Sequence, residues 1–560
     1  MAISSIVANF LIYIVMAFFM LIGIYAGFKE TKTKTDFLSS IGTQTALSLA
    51  ANWFASNLGS SVLYAYPEVG ARAGILGNFW YAFGSTIPLL VFAWLGPIMR
   101  KKCPEGFLLT SFVYERFGRI NQIYVSLMSM AYMFCYMISE LSAVDGILTL
   151  LTGIDFNHIP IILITITTTL YTAYGGFRSS LLTDKVQGWA IVILLIISTI
   201  GFGVSVKLDP GVVSSSPLLQ SNQLGWQLLY IMPVAITFAN LFHQGYWQRA
   251  FSSKNDRELI FSALYGSIML FPTLFLIGFT GILAAWAGTY PGPDPNNPVD
   301  PDMSFFSLYT LLPDWVKGFV LVLTVSLSCS AYDSLQSAMV STMSNDLFNN
   351  KLPLIFIRGL TVIFNVPVVI LAIRNLDVLI VFLVGDLIAA AVMPAVLLGL
   401  VDSLYFLNGF DSLVGGLGGF FSIFIFGAAY FNSAYEGALL FILSKGLYAD
   451  DYSVLGAFLV APFGSIVFTF LAFGVRLLGK FILAKIQGNE FEFPKRPEPD
   501  TTKDEFEKPE PANDVKPYST EGESEKNVNV IINPDTTEGE SENTNTSNNA
   551  VKDSHSMNEV

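Results

Sequence analysis

Long apolar stretches recur along most of the chain, and they constrain its fold more than any other feature. Of the 560 residues, 53% are hydrophobic and only 13% are charged, whereas a soluble domain carries about 25% charged residues. A stretch of about 20 apolar residues is long enough for a helix to cross a bilayer. The sequence therefore predicts an all-α membrane protein with thirteen transmembrane helices. They are predicted over residues 7–28, 44–67, 73–99, 121–150, 157–175, 184–206, 226–248, 259–287, 316–344, 352–374, 377–401, 414–431 and 454–486.

Lysine and arginine are distributed unequally among the segments that connect these helices. If the N-terminus lies outside, the inner segments contain 18 of these residues, Arg249 among them, and the outer segments contain 5. Cytoplasmic loops carry such an excess of positive charge. The distribution predicts an N-terminus outside and a C-terminus inside.

The net charge of −13 comes mostly from the C-terminal tail, because 18 acidic and 7 basic residues follow from Glu490 onward. Such a polar composition predicts a disordered acidic cytoplasmic tail over residues 488–560. Before it we expect an extra helix with a cytoplasmic loop (1–43), a core of membrane helices (44–401) and C-terminal membrane helices (402–487). The sequence contains no basic patch for nucleic acid. It also has no nucleophile–base pair, metal-ligand cluster or phosphate-binding loop that would indicate an enzyme.

Polar residues are concentrated in the second predicted helix. Asn52, Ser56 and Asn57 lie there together with several serines, two glycines and a proline. Breaks in a membrane helix are tolerated where they line a cavity or are covered by protein, and transporters build their binding sites from such helices. We predict that these three residues line a substrate cavity. The alternative is a kinked helix packed by small residues.

The ninth predicted helix carries a polar stripe with the helical period of 3.6 residues. Its members are Ser326, Ser330, Asp333, Ser337 and Ser341. A carboxylate inside a membrane is costly and suggests a function by default. Asp333 is therefore a candidate to bind a proton or cation, as are Glu140 and Asp145, and Asp386 invites the same interpretation. The alternative for each is a structural hydrogen bond.

Several motifs resemble those of the sodium:solute symporters, and within that family the urea/polyamine active transporters of fungi and plants. The stretch Y-T-A-Y-G-G (171–176), followed by T-D-K-V-Q (183–187), is similar to the family signature Y-G-G…T-D-x-x-Q. The runs N-F-W-Y-A-F-G (78–84) and Q-G-Y-W-Q-R-A (244–250) are similar to the urea branch. The resemblance covers about residues 40–400.

The resemblance implies a LeuT-type fold with two inverted repeats of five helices, namely the second to sixth and the seventh to eleventh. It places the substrate between the second and seventh helices, where Gln244 and Tyr246 are candidates for the cavity. It also implies cation ligands, carried over by position. They are the carbonyls of Ala50, Trp53 and Ser326, the side chains of Cys329 and Ser330, and Asp184 for a second cation or a proton.

Two departures from the family pattern bear on the ion and the solute. Family members usually have a hydroxyl where this chain has Cys329, and a thiol is a poor ligand for a hard cation such as sodium. The coupling ion is therefore either H⁺ or Na⁺, and no other cofactor is expected. His243 stands where the urea branch has an acidic residue, so urea is not the only solute to consider.

Three functions follow as hypotheses. The first is an ion-coupled symporter, in the plasma membrane, that imports urea, a polyamine or another small nitrogenous solute. Its partners would be that solute, a coupling cation and the lipid bilayer. The second, a membrane-embedded enzyme, has no supporting motif. The third is a nutrient sensor built on a transporter scaffold and signalling through the acidic tail.

Overall fold

The apolar stretches form helices throughout the part of the chain that a computed structural model describes. That part comprises residues 5–31, 33–152, 158–292, 298–309, 311–374, 376–494 and 496. These residues belong to one unit, Met1–Pro497, and the second unit, Glu498–Val560, lies outside them. The predicted disorder of the tail concerns mainly that second unit and so lies outside the described residues. Residues 489–494 follow the last helix without regular secondary structure.

Eighteen α-helices are present in the described residues, numbered here in chain order. They are α1 (Ser5–Glu30), α2 (Lys34–Leu38), α3 (Ala46–Asn57), α4 (Val62–Lys102), α5 (Leu109–Phe117), α6 (Arg119–Thr152), α7 (Ile159–Ser205), α8 (Pro210–Ser214), α9 (Gln223–Phe242), α10 (Gln244–Ser252), α11 (Asp256–Trp286), α12 (Ser304–Tyr309), α13 (Asp314–Thr342), α14 (Leu354–Ala372), α15 (Val378–Leu397), α16 (Gly409–Tyr430), α17 (Ala434–Leu439) and α18 (Ser453–Gln487). A π-helical turn, Met343–Leu347, continues α13. An isolated parallel β-bridge joins Gln44 and Ser253.

Eleven of the described helices are long and apolar enough to cross a membrane. Two of them, α4 with 41 residues and α7 with 47, are much longer than a bilayer requires, since about 20 residues span its hydrocarbon core. Each contains one glycine with non-helical angles, Gly74 (φ 65°, ψ −158°) and Gly176 (φ 60°, ψ −149°). Each is therefore two helices joined at a glycine, which is why the sequence predicts two spans at both places.

The joint at Gly176 gives a prediction about stability. Its positive φ is costly for a residue with a side chain, and a Cβ there would overlap the carbonyl oxygen of Phe37. Gly176→Ala is therefore expected to lower the free energy of unfolding by roughly 2 kcal/mol or more. Gly203→Ala is the matched control, because Gly203 lies in the same helix with open space around it, where alanine favours the helix. Thermal unfolding of the purified variants measures both, and equal melting temperatures would contradict the prediction.

Two helical breaks lie within the predicted second and seventh spans. Between α3 and α4 the residues from Leu58 to Ser61 are not helical. Between α9 and α10 the helix is interrupted at a single residue, His243 (φ −72°, ψ 109°). The first break lies within the second predicted helix, where polar residues are concentrated.

The helix α13 lies at the centre of the protein, since all of its residues from Leu323 to Thr342 are buried. It packs against α7, α6 and α1, while α4 packs against α11 and α9. Large apolar side chains on the outer helices are exposed, for example Ile196 and Ile200 of α7. Such an outer surface is suited to lipid, and polar side chains are concentrated around α13 instead.

Candidate substrate cavity and ion site

A cavity lies between the two breaks, with an empty volume of about 790 Å³ including open solvent. Ser56, Asn57 and Ser61 line it from the first break, and His243 and Tyr246 line it from the second. Its other walls come from α4, α6, α9, α11, α13 and α15. None of its lining residues in the described part is a lysine or an arginine. The cavity thus has polar backbone breaks on two sides and no fixed positive charge.

Glu140 of α6 reaches the first break with its carboxylate. The carboxylate accepts hydrogen bonds from the Ser61 hydroxyl and from Ser60 Oγ (3.0 Å to Oε2), and Ser61 N lies 3.5 Å from Oε2. A Cβ on Gly59 would overlap the carboxylate, so a larger residue there would displace the Glu140 side chain from this position. Since α4 begins at Val62, the carboxylate also lies at the positive end of that helix.

A second carboxylate, Asp386 of α15, lines the same cavity. Its Oδ1 accepts a hydrogen bond from the hydroxyl of Tyr136 at 2.7 Å. Tyr136 lies one helical turn before Glu140 on α6, which is about 6 Å along the helix axis. The two carboxylates therefore approach the cavity at neighbouring levels, and the hydrogen bonds of both come from neutral donors.

Aromatic rings form much of the remaining surface. Tyr66 and Tyr81 stack at 3.8 Å between centroids, and His243 stacks on Tyr246 at 4.5 Å. The Tyr246 hydroxyl donates to Asn57 Oδ1 (2.8 Å), and its ring meets Trp53 edge-on at 5.3 Å. Tyr246 thus links the two broken helices. Aromatic faces attract ammonium groups, so this surface complements the carboxylates.

A fully buried ion pair joins α7 to α10. Arg249 donates to Asp184 Oδ2 at 2.6 Å and to Ser334 Oγ at 2.7 Å, and neither charged side chain is exposed. Ser330 donates to the other oxygen of Asp184 at 2.7 Å. The structure therefore brings together two of the predicted ion ligands, Asp184 and Ser330, and adds a guanidinium to them.

Asp333 lies beside this pair and is surrounded by hydroxyl groups. Tyr171 and Thr183 donate to Oδ2 at 2.6 and 3.0 Å, and Ser180 and Ser334 donate to Oδ1 at 2.9 and 3.3 Å. The same Ser334 hydroxyl lies 3.3 Å from Asp184, so its one proton can be donated to either carboxylate and both belong to one network. Two carboxylates and one guanidinium leave an excess of one negative charge, which one proton or one monovalent cation would neutralise.

The other predicted ion ligands lie nearby, and in the described part of the chain their side chains do not hydrogen-bond to Asp184, Asp333 or Arg249. Ala50 and Trp53 are fully buried in α3, which packs against α7 and α13. The Ser326 hydroxyl donates to the carbonyl of Val322 in its own helix at 2.7 Å. Cys329 is buried, and its carbonyl oxygen lies 3.4 Å from the Tyr171 hydroxyl.

Three predicted site residues have different partners in the structure. Asn52 does not line the cavity and donates to the carbonyl of Ser48 at 2.8 Å within α3. Gln244 is also absent from the lining, because its amide binds Ser129 and the start of α5. Asp145 pairs with His158 at 2.6 Å, away from the cavity. Sequence composition identified these groups as buried and polar but could not identify their partners.

Arg249 is the functional candidate that sequence reasoning missed. Counting positive charges assigned it to an inner segment, whereas it is fully buried in α10. The available signal was the Q-R pair of the run 244–250, which contributed to the family resemblance without indicating a partner. Tyr136, Tyr171, Ser180 and Thr183 were missed as well, because their roles depend on contacts between distant helices.

The far ends of the two broken helices are held together on the side opposite the cavity. The Gln44 amide donates to the Ser252 carbonyl at 2.8 Å, and the Lys254 amide donates to the Gln44 carbonyl at 2.9 Å. Glu258 also binds the amide of Ala46, the first residue of α3. These contacts join the start of α3 to the end of α10.

Comparisons with known proteins agree with this architecture. Residues 37–405 match the sodium:solute symporter family. The chain is 40% identical over 486 residues to the spermidine transporter DUR31 of Candida albicans, which covers 86% of this chain and 92% of the relative. It is 25% identical over 268 residues to the probable urea active transporter 1 of Schizosaccharomyces pombe, which covers 43% of this chain and 38% of the relative.

Solved transporters have a similar fold. A substrate-bound, outward-open structure of a Na⁺-coupled sialic acid symporter superposes with a TM-score of 0.63, at 13% identity over 82% of this chain and 97% of the other. The inward-facing structure of Mhp1 gives a TM-score of 0.52, at 14% identity over 80% of this chain and 94% of the other. At these identities the likeness concerns the fold alone.

Proposed function

Because this chain belongs to the sodium:solute symporter family and is a secondary active transporter in a membrane, we propose that the solute it imports is a polyamine such as spermidine. The observation that carries the proposal is the composition of the cavity. It contains two carboxylates, Glu140 and Asp386, and no lysine or arginine among its described lining residues. The spermidine transporter that is 40% identical to this chain supports the same solute.

The physical argument concerns desolvation. A polyamine carries several ammonium groups, and removing them from water is costly unless each meets a negative or aromatic partner. Glu140 and Asp386 supply the charges, while Tyr66, Tyr81 and Tyr246 supply ring faces for the cations and for the methylene chain. A cationic solute also compensates two carboxylates that have only neutral hydrogen-bond donors.

Urea is the second candidate, because part of the chain is similar to a probable urea active transporter. Urea is neutral, so its binding would leave the charges of Glu140 and Asp386 uncompensated. His243 also lines the cavity, at the position where the urea branch carries an acidic residue. These features favour a polyamine over urea in this chain.

Uptake into cells that lack their own carriers tests the proposal. Labelled spermidine is expected to accumulate, and an excess of unlabelled spermidine is expected to abolish labelled urea uptake if urea enters at all. Spermidine uptake that is absent while urea uptake proceeds unchanged under a large polyamine excess would refute the proposal. Accumulation of no solute, at normal surface abundance, would favour a sensor.

For the topology we propose thirteen crossings, with the N-terminus outside and the C-terminus inside. Counting the two segments of α4 and of α7 separately raises the eleven long helices to this number. The breaks at residues 58–61 and at His243 support inverted repeats that begin with α3 and with α9. A plasma-membrane location follows from the proposed import of an external solute.

For the coupling ion we propose a proton carried by Asp333. The excess of one negative charge calls for one positive ion, and Arg249 already occupies the neighbourhood of Asp184 with a permanent positive charge. A sodium ion beside that guanidinium would experience repulsion in a medium of low dielectric constant. Cys329 adds no hard ligand, whereas a proton needs only the carboxylate and hydroxyl groups already present around it.

A further inference from the structure

The carboxylate of Glu140 has two roles that compete for the same oxygen atoms. It holds the first helical break through the hydroxyls of Ser60 and Ser61, and it lines the cavity. Oε1 accepts from Ser61, while Oε2 accepts from Ser60 and faces the Ser61 amide. An ammonium group that binds this carboxylate therefore meets oxygens that already accept hydrogen bonds from the break.

Resting on the proposed function, we propose that an ammonium group of the substrate displaces the Ser61 hydroxyl from Glu140, so that substrate binding releases the start of α4 from α6. Ser61 is the residue that is displaced, because it directly precedes α4 and donates to Oε1, whereas Ser60 donates to Oε2. The single hydroxyl proton of Ser60 can keep this residue attached to α6, because the Glu140 carbonyl oxygen, at 3.2 Å, is an alternative acceptor to the carboxylate.

The start of α4 tolerates the loss of the Ser61–Glu140 hydrogen bond, and a cationic solute causes this loss more readily than a neutral one. The first backbone amides of α4 already bind the carbonyls of Gly59 and Ser60, at 3.2 and 3.0 Å. The start of the helix thus keeps its own hydrogen bonds when the carboxylate turns toward the substrate. A neutral solute offers Glu140 a weaker hydrogen bond than an ammonium group does, and so displaces the serine less readily.

The close approach of the Glu140 carboxylate to Gly59 limits where the carboxylate can move. A Cβ on this residue would overlap both carboxylate oxygens of Glu140, so the backbone blocks one direction. The cavity, which Glu140 lines, is a direction that remains open to the carboxylate. The geometry therefore directs the exchange to the side where a substrate would arrive.

Replacing Ser61 by alanine tests the inference, with spermidine as the probe on the full-length protein in nanodiscs. The variant removes the competing hydroxyl, so the Kd for spermidine is expected to fall roughly tenfold, the value of one charge-assisted hydrogen bond. Ser198→Ala is the control, because that buried hydroxyl binds the Leu194 carbonyl in its own helix, and its Kd should equal that of the wild type. A Kd for Ser61→Ala that is unchanged or higher would overturn the inference.

Hydrogen exchange gives a second measurement that needs no variant. Spermidine is expected to increase amide exchange over residues 60–66 of the wild type. The hydrogen bonds of this segment to Gly59 and Ser60 persist, but they open more often once the start of α4 has lost its contact with α6. Protection of this segment by spermidine would overturn the inference. If the wild type does not bind spermidine at all, the proposed function fails instead, so the two failures are distinguishable.

Discussion

Glu140→Gln and Asp386→Asn are each expected to lower kcat/KM for spermidine uptake by roughly two orders of magnitude. Truncating one partner of a desolvated charge pair costs about 2–5 kcal/mol, and each substitution removes a negative charge while keeping the size of the side chain. Glutamine at position 140 can accept from one of the two serines through its oxygen and donate its amide to the hydroxyl of the other, and asparagine at position 386 can still accept from Tyr136. The loss is therefore expected in transport rather than in folding.

Initial uptake rates at equal surface abundance measure this effect. Asp402→Asn is a suitable control, because Asp402 is exposed and pairs with the partly exposed Lys102 away from the cavity, and ion pairs at the surface contribute little. A neutral solute is expected to lose far less than spermidine in both cavity variants. Spermidine kinetics that remain unchanged in Asp386→Asn would show that the second carboxylate does not contact the substrate.

Asp333→Asn is expected to remove the dependence of uptake on external pH and to lower the rate at acidic pH by at least roughly tenfold. In the wild type, acid should stimulate import. Protonation from outside neutralises the Asp333 carboxylate, and this neutral form is the one that makes the inward step. External sodium should have no effect. Asparagine occupies the same volume and is surrounded by hydroxyls that can donate or accept, so the network of Tyr171, Ser180 and Thr183 can adjust.

The measurement is uptake at a fixed membrane potential, with external pH and sodium varied independently. Asp145→Asn is the matched control, because this buried carboxylate pairs with His158 outside both the cavity and the Asp333 network. It should keep the stimulation by acid. Uptake that requires sodium and is independent of pH would show that Asp333 is a structural residue. It would also show that Cys329 does not prevent sodium from binding.

The sequence predicted the fold to the extent that apolar length and charge distribution determine it. The sequence predicted separate spans at 44–67 and 73–99, and again at 157–175 and 184–206. In the structure the neighbouring ends of each pair are joined into one long helix, through Gly74 in the first pair and Gly176 in the second. The break near Gly59 was predicted because several polar residues cluster there. The break at His243 was not predicted, although Asn240, His243 and Gln244 also form a polar cluster there. The interruption is a single residue, and these polar side chains were not interpreted as a sign of a broken helix.

The site was predictable only in part. The sequence shows that a polar residue in a membrane helix needs a hydrogen-bond partner, but it does not show which residue that partner is. Asp333 and Glu140 accept hydrogen bonds from residues of other helices, because a carboxylate buried in a membrane needs such partners. Asp145 satisfies the same requirement with His158, thirteen residues later in the chain, and sequence alone does not distinguish the two cases. Arg249 illustrates the opposite error, since a count of positive charges treats every arginine as an exposed one.

The central claim, that this chain moves polyamines on an ion gradient, is tested most directly with the purified protein in liposomes. With an acidic exterior and no other protein present, labelled spermidine is expected to accumulate inside above its external concentration. A protonophore is expected to abolish this accumulation, and a sodium gradient is expected not to replace the proton gradient. Failure to accumulate spermidine under either gradient, with correctly inserted and folded protein, would contradict the account.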